Sequence, residues 1–102
     1  MIKTGDRPSP ELLARAAAVI RADRRWDGPL CLEDAICSFQ FDGLLVVYVD
    51  DVRIADLQRN GGGTSTTFLV QFKRDTMDLV GLRAGYRTRV EADGRYKTLP
   101  PE

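Results

Sequence analysis

The sequence predicts an α+β fold, in which an N-terminal amphipathic helix packs on one face of a five- to six-stranded antiparallel meander sheet. Three observations lead to this prediction. A helical apolar period follows Ser9-Pro10, the apolar run Leu44–Val49 has the length of a strand, and period-two alternation dominates the chain after Cys37. With 102 residues, 43% of them hydrophobic, the chain can build one core. We therefore expect one domain over 9–99, a frayed segment 1–8 and a tail 100–102.

The first helix has a clear start signal. Ser9 suits the N-cap position, Pro10 the first helical position and Glu11 the positive end of the helix dipole. Helical spacing places five apolar residues on one face, namely Leu12, Leu13, Ala16, Val19 and Ile20. The helix should end at Trp26–Pro29, because Gly28 and Pro29 do not continue a helix well.

A hairpin is predicted in the next part of the chain. Leu30–Cys37 has the spacing of a short second helix, and it runs into a strand over Ile36–Phe41. Asp42-Gly43 is a two-residue turn signal, which returns the chain into Leu44–Val49. Because that strand is apolar on both faces, we expect it to be the central strand and to be covered on both sides.

Val52–Gln58 can be interpreted in two ways. We prefer a third strand, and the competing interpretation is a helix that Asp51 caps and that Asn60-Gly61 ends. Gly61–Ser65 is predicted to be a flexible connector.

Two further alternations complete the sheet. Thr66–Arg74 alternates apolar and polar residues, and Val80–Ala92 forms the longest alternation in the chain. The second is one strand bent or bulged near Gly85, or two strands hinged there. A turn at Asp93-Gly94 then leads into Arg95–Leu99.

The charges are balanced but unevenly distributed. Fifteen basic and fifteen acidic residues give a formal net charge of zero, which argues against a general nucleic-acid coat protein. Residues 1–26 carry +3, residues 27–58 carry −6 and residues 59–102 carry +3. An acidic middle segment thus separates two mildly basic ones, and pairing between them explains the split most simply.

The composition excludes several kinds of chemistry. The chain has no histidine, which removes the commonest catalytic base and metal ligand. Cys31 and Cys37 alone cannot complete a zinc site, and no Walker lysine follows Gly61–Gly63. Acidic pairs such as Glu33-Asp34 lack the spacing of a calcium loop. We therefore predict no catalytic residues, no cofactor and no bound metal.

Tyr48-Val49-Asp50-Asp51 resembles, over these four residues, the tyrosine-x-aspartate-aspartate box of reverse transcriptases. In those enzymes paired carboxylates at a hairpin hold catalytic metals. A polymerase palm also needs a third carboxylate and a much longer chain, so we interpret Asp50 and Asp51 as turn residues.

The sequence also predicts a compartment. It contains neither an N-terminal apolar signal region nor an apolar run near 18 residues, so we expect a cytoplasmic protein. In that compartment Cys31 and Cys37 should be reduced and partly buried.

The best candidate site is a row of arginines. Arg83, Arg87 and Arg89 share one parity, so a regular strand would place them on one face. Arg95 and Lys97 are expected on the next strand, with Tyr86 or Tyr96 nearby. The second candidate comprises Trp26, Arg24 and Arg25 at the end of the first helix.

These observations favour a binding module that occupies a surface of another protein, as a small inhibitor or adaptor does. Proteins of this profile are often encoded by phages or mobile elements and block bacterial defence complexes, for example as anti-CRISPR proteins. One rival hypothesis is nucleic-acid binding through the arginine row. Another is a small-ligand cup between helix and sheet, lined by Phe39, Phe41, Phe68 and Phe72. A homodimer is also compatible with the sequence.

Overall fold

The computed structural model describes residues 6–23, 30–40 and 42–99. They form two helices and a five-stranded antiparallel sheet, in which each strand pairs with the next along the chain. The elements are α1 Pro10–Ala22, β1 Cys31–Phe39, β2 Leu44–Asp50, α2 Ile54–Arg59, β3 Gly63–Lys73, β4 Leu79–Val90 and β5 Tyr96–Leu99. The predicted α+β fold with an antiparallel meander is confirmed.

Helix α1 begins as its sequence predicts. The Ser9 hydroxyl accepts a hydrogen bond from the Leu12 N–H at 3.2 Å, and Pro10 occupies the first turn, where its missing N–H is not needed. The helix ends at Ala22, and Asp23 follows as its C-cap. The predicted stop, Trp26–Pro29, lies outside the described residues.

The core lies between α1 and one face of the sheet, called here the helix face. Leu12, Ala16 and Ile20 of α1 belong to one buried cluster with sheet residues. The sheet contributes residues of β1, β2 and β3 to it: Ala35, Leu45, Val47, Val49, Phe68, Val70 and Phe72. The side chains that alternate with these, such as Val46 and Leu69, lie on the opposite side, called here the far face.

The predicted short helix at Leu30–Cys37 is wrong, because this segment is strand β1. Cys31 pairs with Asp50 and Ile36 with Tyr48, so five steps along β1 match two along β2. The three extra residues of β1 form an irregular bulge. Burial at Cys31 and Ala35, four residues apart, therefore imitates a helical period.

The turn from β1 to β2 is not the predicted two-residue turn at Asp42-Gly43. Gln40 donates its N–H to the Leu44 carbonyl at 2.8 Å, so the ladder closes at this pair. Gly43 has a φ of +82°, which favours glycine.

Strand β2 is covered on both sides, as predicted, but it is not the central strand. Val46 and Val47 point to opposite faces and are 2% and 0% exposed. The middle of the sheet is β3, which pairs with β2 on one side and β4 on the other.

The preferred strand at Val52–Gln58 is also wrong, and the competing helix is correct. Helix α2 starts after Arg53 and ends at Asn60. Asp51 does not cap it. Its buried carboxylate accepts hydrogen bonds from the Thr66 N–H at 2.8 Å and from the Ser65 hydroxyl at 3.3 Å. Asp51 thereby joins the end of β2 to β3, and among the described residues no side chain caps the start of α2.

Gly62 and Gly63, which follow α2, lie in a packed junction rather than in a flexible connector. Gly63 already belongs to β3 and pairs with Val90. A Cβ atom on Gly62 would lie 2.7 Å from the Val90 carbonyl oxygen, and one on Gly63 would lie 2.8 Å from Leu57 Cδ2. Only glycine lets α2 approach the end of β4 this closely.

Strand β4 carries the predicted bulge near Gly85. Phe68 pairs with Ala84 and Thr66 with Arg87, so two steps along β3 match three along β4. A second register shift lies at the start of β4, between Leu79 and Gly81. These irregularities determine which residues share a face.

Candidate interaction surface

The bulge in β4 divides the predicted arginine row. Arg83 pairs with Leu69 and lies on the far face, whereas Arg87 pairs with Thr66, whose parity is that of the helix face. One extra residue reverses the side-chain parity beyond it. The prediction that Arg83, Arg87 and Arg89 share one face is therefore wrong for Arg83.

The cations that do share a face are Arg87, Arg89 and Lys97, called here the basic face. Lys97 is on β5 opposite Arg89, as predicted. Arg89 Nε lies 3.5 Å from a carboxylate oxygen of Glu91, so the positive charge there is partly neutralised. Arg95 precedes β5 in the turn, where its Nε lies 2.6 Å from Asp93 Oδ2.

Two further predicted site residues, Tyr96 and Tyr86, lie on β5 and β4. Tyr96 is 63% exposed and pairs with Val90, so it points away from Lys97, its neighbour in β5. Tyr86 is exposed beside the bulge in β4. Trp26, Arg24 and Arg25 lie outside the described residues.

A second surface is the outer edge of β4. Strand β5 pairs with β4 only over Arg87–Val90, and among the described residues no strand pairs with the outer side of Leu79–Tyr86. These eight residues, called here the open edge, span about 26 Å at about 3.3 Å per residue. Leu79 and Val80 are each 49% exposed, and Tyr86 is 42% exposed. The open edge thus combines unpaired main chain with apolar side chains.

The opposite edge of the sheet is covered. Cys37 donates its N–H to the Asp6 carbonyl at 2.8 Å. The Arg7 guanidinium donates to the carbonyls of Leu32, Glu33 and Ala35 along the bulged part of β1. The N-terminal segment therefore occupies hydrogen-bonding groups that an approaching strand would need.

Sequence reasoning did not find the open edge. The alternating pattern of Val80–Ala92 shows that a long strand exists, but not how much of it the next strand covers. One signal was present, since Tyr96–Leu99 is short and Pro100-Pro101, which lack N–H donors, follow it.

Three carboxylates and one arginine lie near the end of β2. Arg53 donates to Asp34 Oδ2 at 2.9 Å and lies 3.2 Å from Glu33 Oε2. Asp50 accepts a hydrogen bond from the Thr67 hydroxyl, while burial, opposed by this bond, raises the pKa of the Asp50 carboxyl. Within the described part of the chain no three Cys, Asp or Glu side chains are arranged to hold a metal ion.

Both thiols are free, and neither is activated. Cys31 is buried and Cys37 half-buried, which agrees with the prediction that they are at least partly buried. Burial raises the pKa of both, and nearby carboxylates raise it further: Asp34 and Glu33 at Cys31, Asp6 at Cys37. A nucleophilic cysteine needs the opposite shift.

The phenylalanines of the predicted cup have different surroundings. Phe68 and Phe72 are buried in the core against α1. Phe39 is 40% exposed, with the Arg74 guanidinium 4.6 Å from its ring centroid. Phe41 lies outside the described residues. Phe68 and Phe72 therefore fill the space between helix and sheet.

Comparisons with protein-family models, with curated proteins and with solved structures gave no match for this chain. Neither helix in the described part of the chain is long and apolar enough to cross a membrane.

Proposed function

We propose that this chain is a non-enzymatic protein-binding module that binds an extended segment of a partner protein along the open edge of β4. The observation that carries the proposal is the eight-residue edge, unpaired among the described residues and flanked by exposed Leu79, Val80 and Tyr86. An added strand gains main-chain hydrogen bonds from such an edge and side-chain contacts from its apolar residues.

The difference between the two edges of the sheet supports this proposal. Long apolar edges favour aggregation, and natural sheets usually shorten, charge or cover them. This chain covers the β1 edge with Asp6 and Arg7 but leaves Leu79–Tyr86 with a single charged residue, Arg83. Binding of a partner strand at Leu79–Tyr86 would explain why this edge is neither covered nor strongly charged.

In this proposal the protein acts in the cytoplasm by occupying a surface of its partner, as an inhibitor or an adaptor. A phage-encoded inhibitor of a bacterial defence complex is one case that fits, because such a protein needs a binding surface and no catalytic residues. The open edge would then pair with a strand or loop that its target uses for its own assembly.

A comparative pulldown tests the proposal. Tagged wild-type protein and Val80→Lys are used as baits in nuclease-treated lysate of the source organism. Lysine on a strand edge opposes strand addition, so a stoichiometric partner should bind the wild type and be reduced at least about fivefold on the variant. Thr76→Lys, in the exposed turn before β4, is the charge-matched control and should keep the partner.

Hydrogen exchange then locates the contact. In the complex the amides of Leu79–Tyr86 should be protected, while those of β1 should exchange as in the free protein. A partner whose binding protects other residues and ignores Val80→Lys would contradict the proposal.

The basic face supports a second candidate, nucleic-acid binding, because Arg87, Arg89 and Lys97 lie together on adjacent strands. Each phosphate contact releases counterions, so affinity for a labelled oligonucleotide should fall steeply with salt. Arg89→Glu should abolish that binding while Val80→Lys keeps it. Absence of any shift at about 50 mM salt would remove this candidate.

A further inference from the structure

We propose, resting on the proposed function, that the segment bound at the open edge is acidic and places a carboxylate against Arg83. Strand β4 contains three arginines and no acidic residue. Arg83 is exposed and lies within the open edge, four residues from its start and three from its end. A strand that pairs with this edge therefore meets positive charge near its middle.

Arg83 differs from four other arginines of the described chain in its contacts. Carboxylates pair with Arg53, Arg59, Arg89 and Arg95. For Arg83 the described residues provide no ion pair and no side-chain hydrogen bond. Its guanidinium is thus available to an external acceptor, and its planar set of donors suits a carboxylate.

The geometry of an antiparallel pair gives that acceptor a place. Side chains directly opposite each other have Cβ atoms about 4.5–5.5 Å apart, and opposite charges there stabilise the pair. An Asp or Glu opposite Arg83 meets this requirement, and a carboxylate two residues along the partner is within reach of a long side chain. Leu79 and Val80 at one end and Tyr86 at the other contact apolar residues of the same segment.

A second copy of this chain fits the edge less well. Antiparallel pairing of the open edge with the open edge of another copy would bring the two Arg83 side chains together, and neither edge contains an acidic residue. Pairing of β4 with the β1 edge of another copy is obstructed by Asp6 and Arg7. Charge complementarity therefore favours a different molecule with an acidic segment.

The test uses three ten-residue peptides in which threonine alternates with glutamate, with glutamine or with lysine. Backbone amide shifts of the full chain are followed by NMR during titration to millimolar peptide. The glutamate peptide should bind about fivefold or more tightly than the glutamine peptide, and the lysine peptide should be weakest. The shifts should centre on Leu79–Tyr86.

Variants connect the preference to Arg83. Arg83→Glu should reduce affinity for the glutamate peptide at least about fivefold, and Arg83→Lys should keep most of it. Arg21→Glu, an exposed position on α1, is the control with the same charge change and should bind like the wild type.

Each outcome decides a different point. Equal binding of the glutamate and glutamine peptides at the open edge would overturn the acidic preference and leave strand addition intact. Binding of the glutamate peptide elsewhere, for example at Arg89 and Lys97, or no binding of any peptide, would overturn the inference. In those cases the partner-capture experiment with Val80→Lys decides the proposed function separately.

Discussion

Asp51 joins the end of β2 to β3 through one buried carboxylate. It accepts a hydrogen bond from the Thr66 N–H at 2.8 Å, and the Ser65 hydroxyl, with one proton, lies 3.3 Å from the same carboxylate oxygen and 2.7 Å from the Val52 carbonyl oxygen. In the sequence Asp51 had two candidate roles, as a turn residue and as a helix cap. The structure gives it another, because its oxygen satisfies a main-chain N–H of a neighbouring strand.

Asp51→Ala should lower the free energy of unfolding by about 2 kcal/mol, since it leaves the Thr66 N–H without its acceptor. Urea denaturation followed by circular dichroism measures the change. Asp75→Ala, at an exposed position in the turn after β3, is the control and should stay within about 0.5 kcal/mol of the wild type. Equal effects of the two substitutions would show that the hydrogen bonds of Asp51 contribute little.

Asp50 should make stability depend on pH. Burial raises the pKa of its carboxyl above the ordinary 3.8, so the folded state holds this proton more tightly than the unfolded state. The favourable contribution is complete below pH 3.8 and is lost as the pH rises through the folded-state pKa.

Asp50→Asn removes this dependence while its amide oxygen can still accept from Thr67. The variant should therefore gain stability relative to the wild type as the pH rises from about 3.5 to 7. Urea midpoints of both proteins across this range measure the gain. A constant difference between the two proteins would contradict the role of Asp50.

At the level of elements, sequence patterns predicted regular segments and failed at irregular ones. Helix α1 follows one period throughout and strand β3 alternates over Phe68–Phe72, and both were predicted, although β3 begins at Gly63 and not at Thr66. Bulges interrupt the period. Three extra residues in β1 gave its buried residues a helical spacing, and one extra residue in β4 placed Arg83 and Arg87 on opposite faces. Because a bulge is set by pairing with the next strand, the local sequence does not reveal which way the following side chains point.

The choice at α2 depended on tertiary contacts in the same way. Val52–Gln58 has residues that suit either a strand or a helix. The structure favours the helix because Asp51 bonds to β3 and because Gly62 and Gly63 allow Leu57 and the chain around it to approach β4. The contacts of Asp51 with Thr66 and of Gly62 with Val90 are not local in sequence.

The cover of the β1 edge gives a prediction at this scale. Arg7→Ala removes a guanidinium that donates to three carbonyls, so amides of β1 should exchange faster and the edge should become available for pairing. We expect the variant to self-associate with rising concentration, as light scattering would show. Arg7→Lys keeps the charge with fewer donors and should give a smaller effect; an unchanged monomer in Arg7→Ala would count against this role of Arg7.

For the whole molecule, the arrangement of charges predicts the oligomeric state. If two copies paired through their open edges, the Arg83 side chains would approach each other and their like charges would repel. The free protein should therefore be a monomer of 11.4 kDa. Arg83→Leu removes the charge within the open edge and should produce a concentration-dependent dimer. Sedimentation of both proteins measures the difference, and a stable wild-type dimer through this edge would contradict the charge argument.

The open edge itself was beyond sequence reasoning for a physical reason. Strand lengths can be estimated from alternation, but the coverage of one strand by another depends on register and on where the last strand stops. Arg83 and Tyr86 were both identified as candidates because arginine and tyrosine often mediate contacts, whereas Leu79 and Val80 resemble ordinary core residues in the sequence.

The bulge at Gly85 also has an evolutionary consequence. Loss of one codon there would restore a regular ladder between β3 and β4, but Arg83 would stay opposite Leu69 and Arg87 opposite Thr66, so the two arginines would still lie on opposite faces. A continuous cationic face would instead need the first half of β4 to slip by one residue against β3, and that slip would carry Leu82 away from the core. A lineage of this protein therefore cannot gain such a face by a deletion alone without losing the core contact of Leu82.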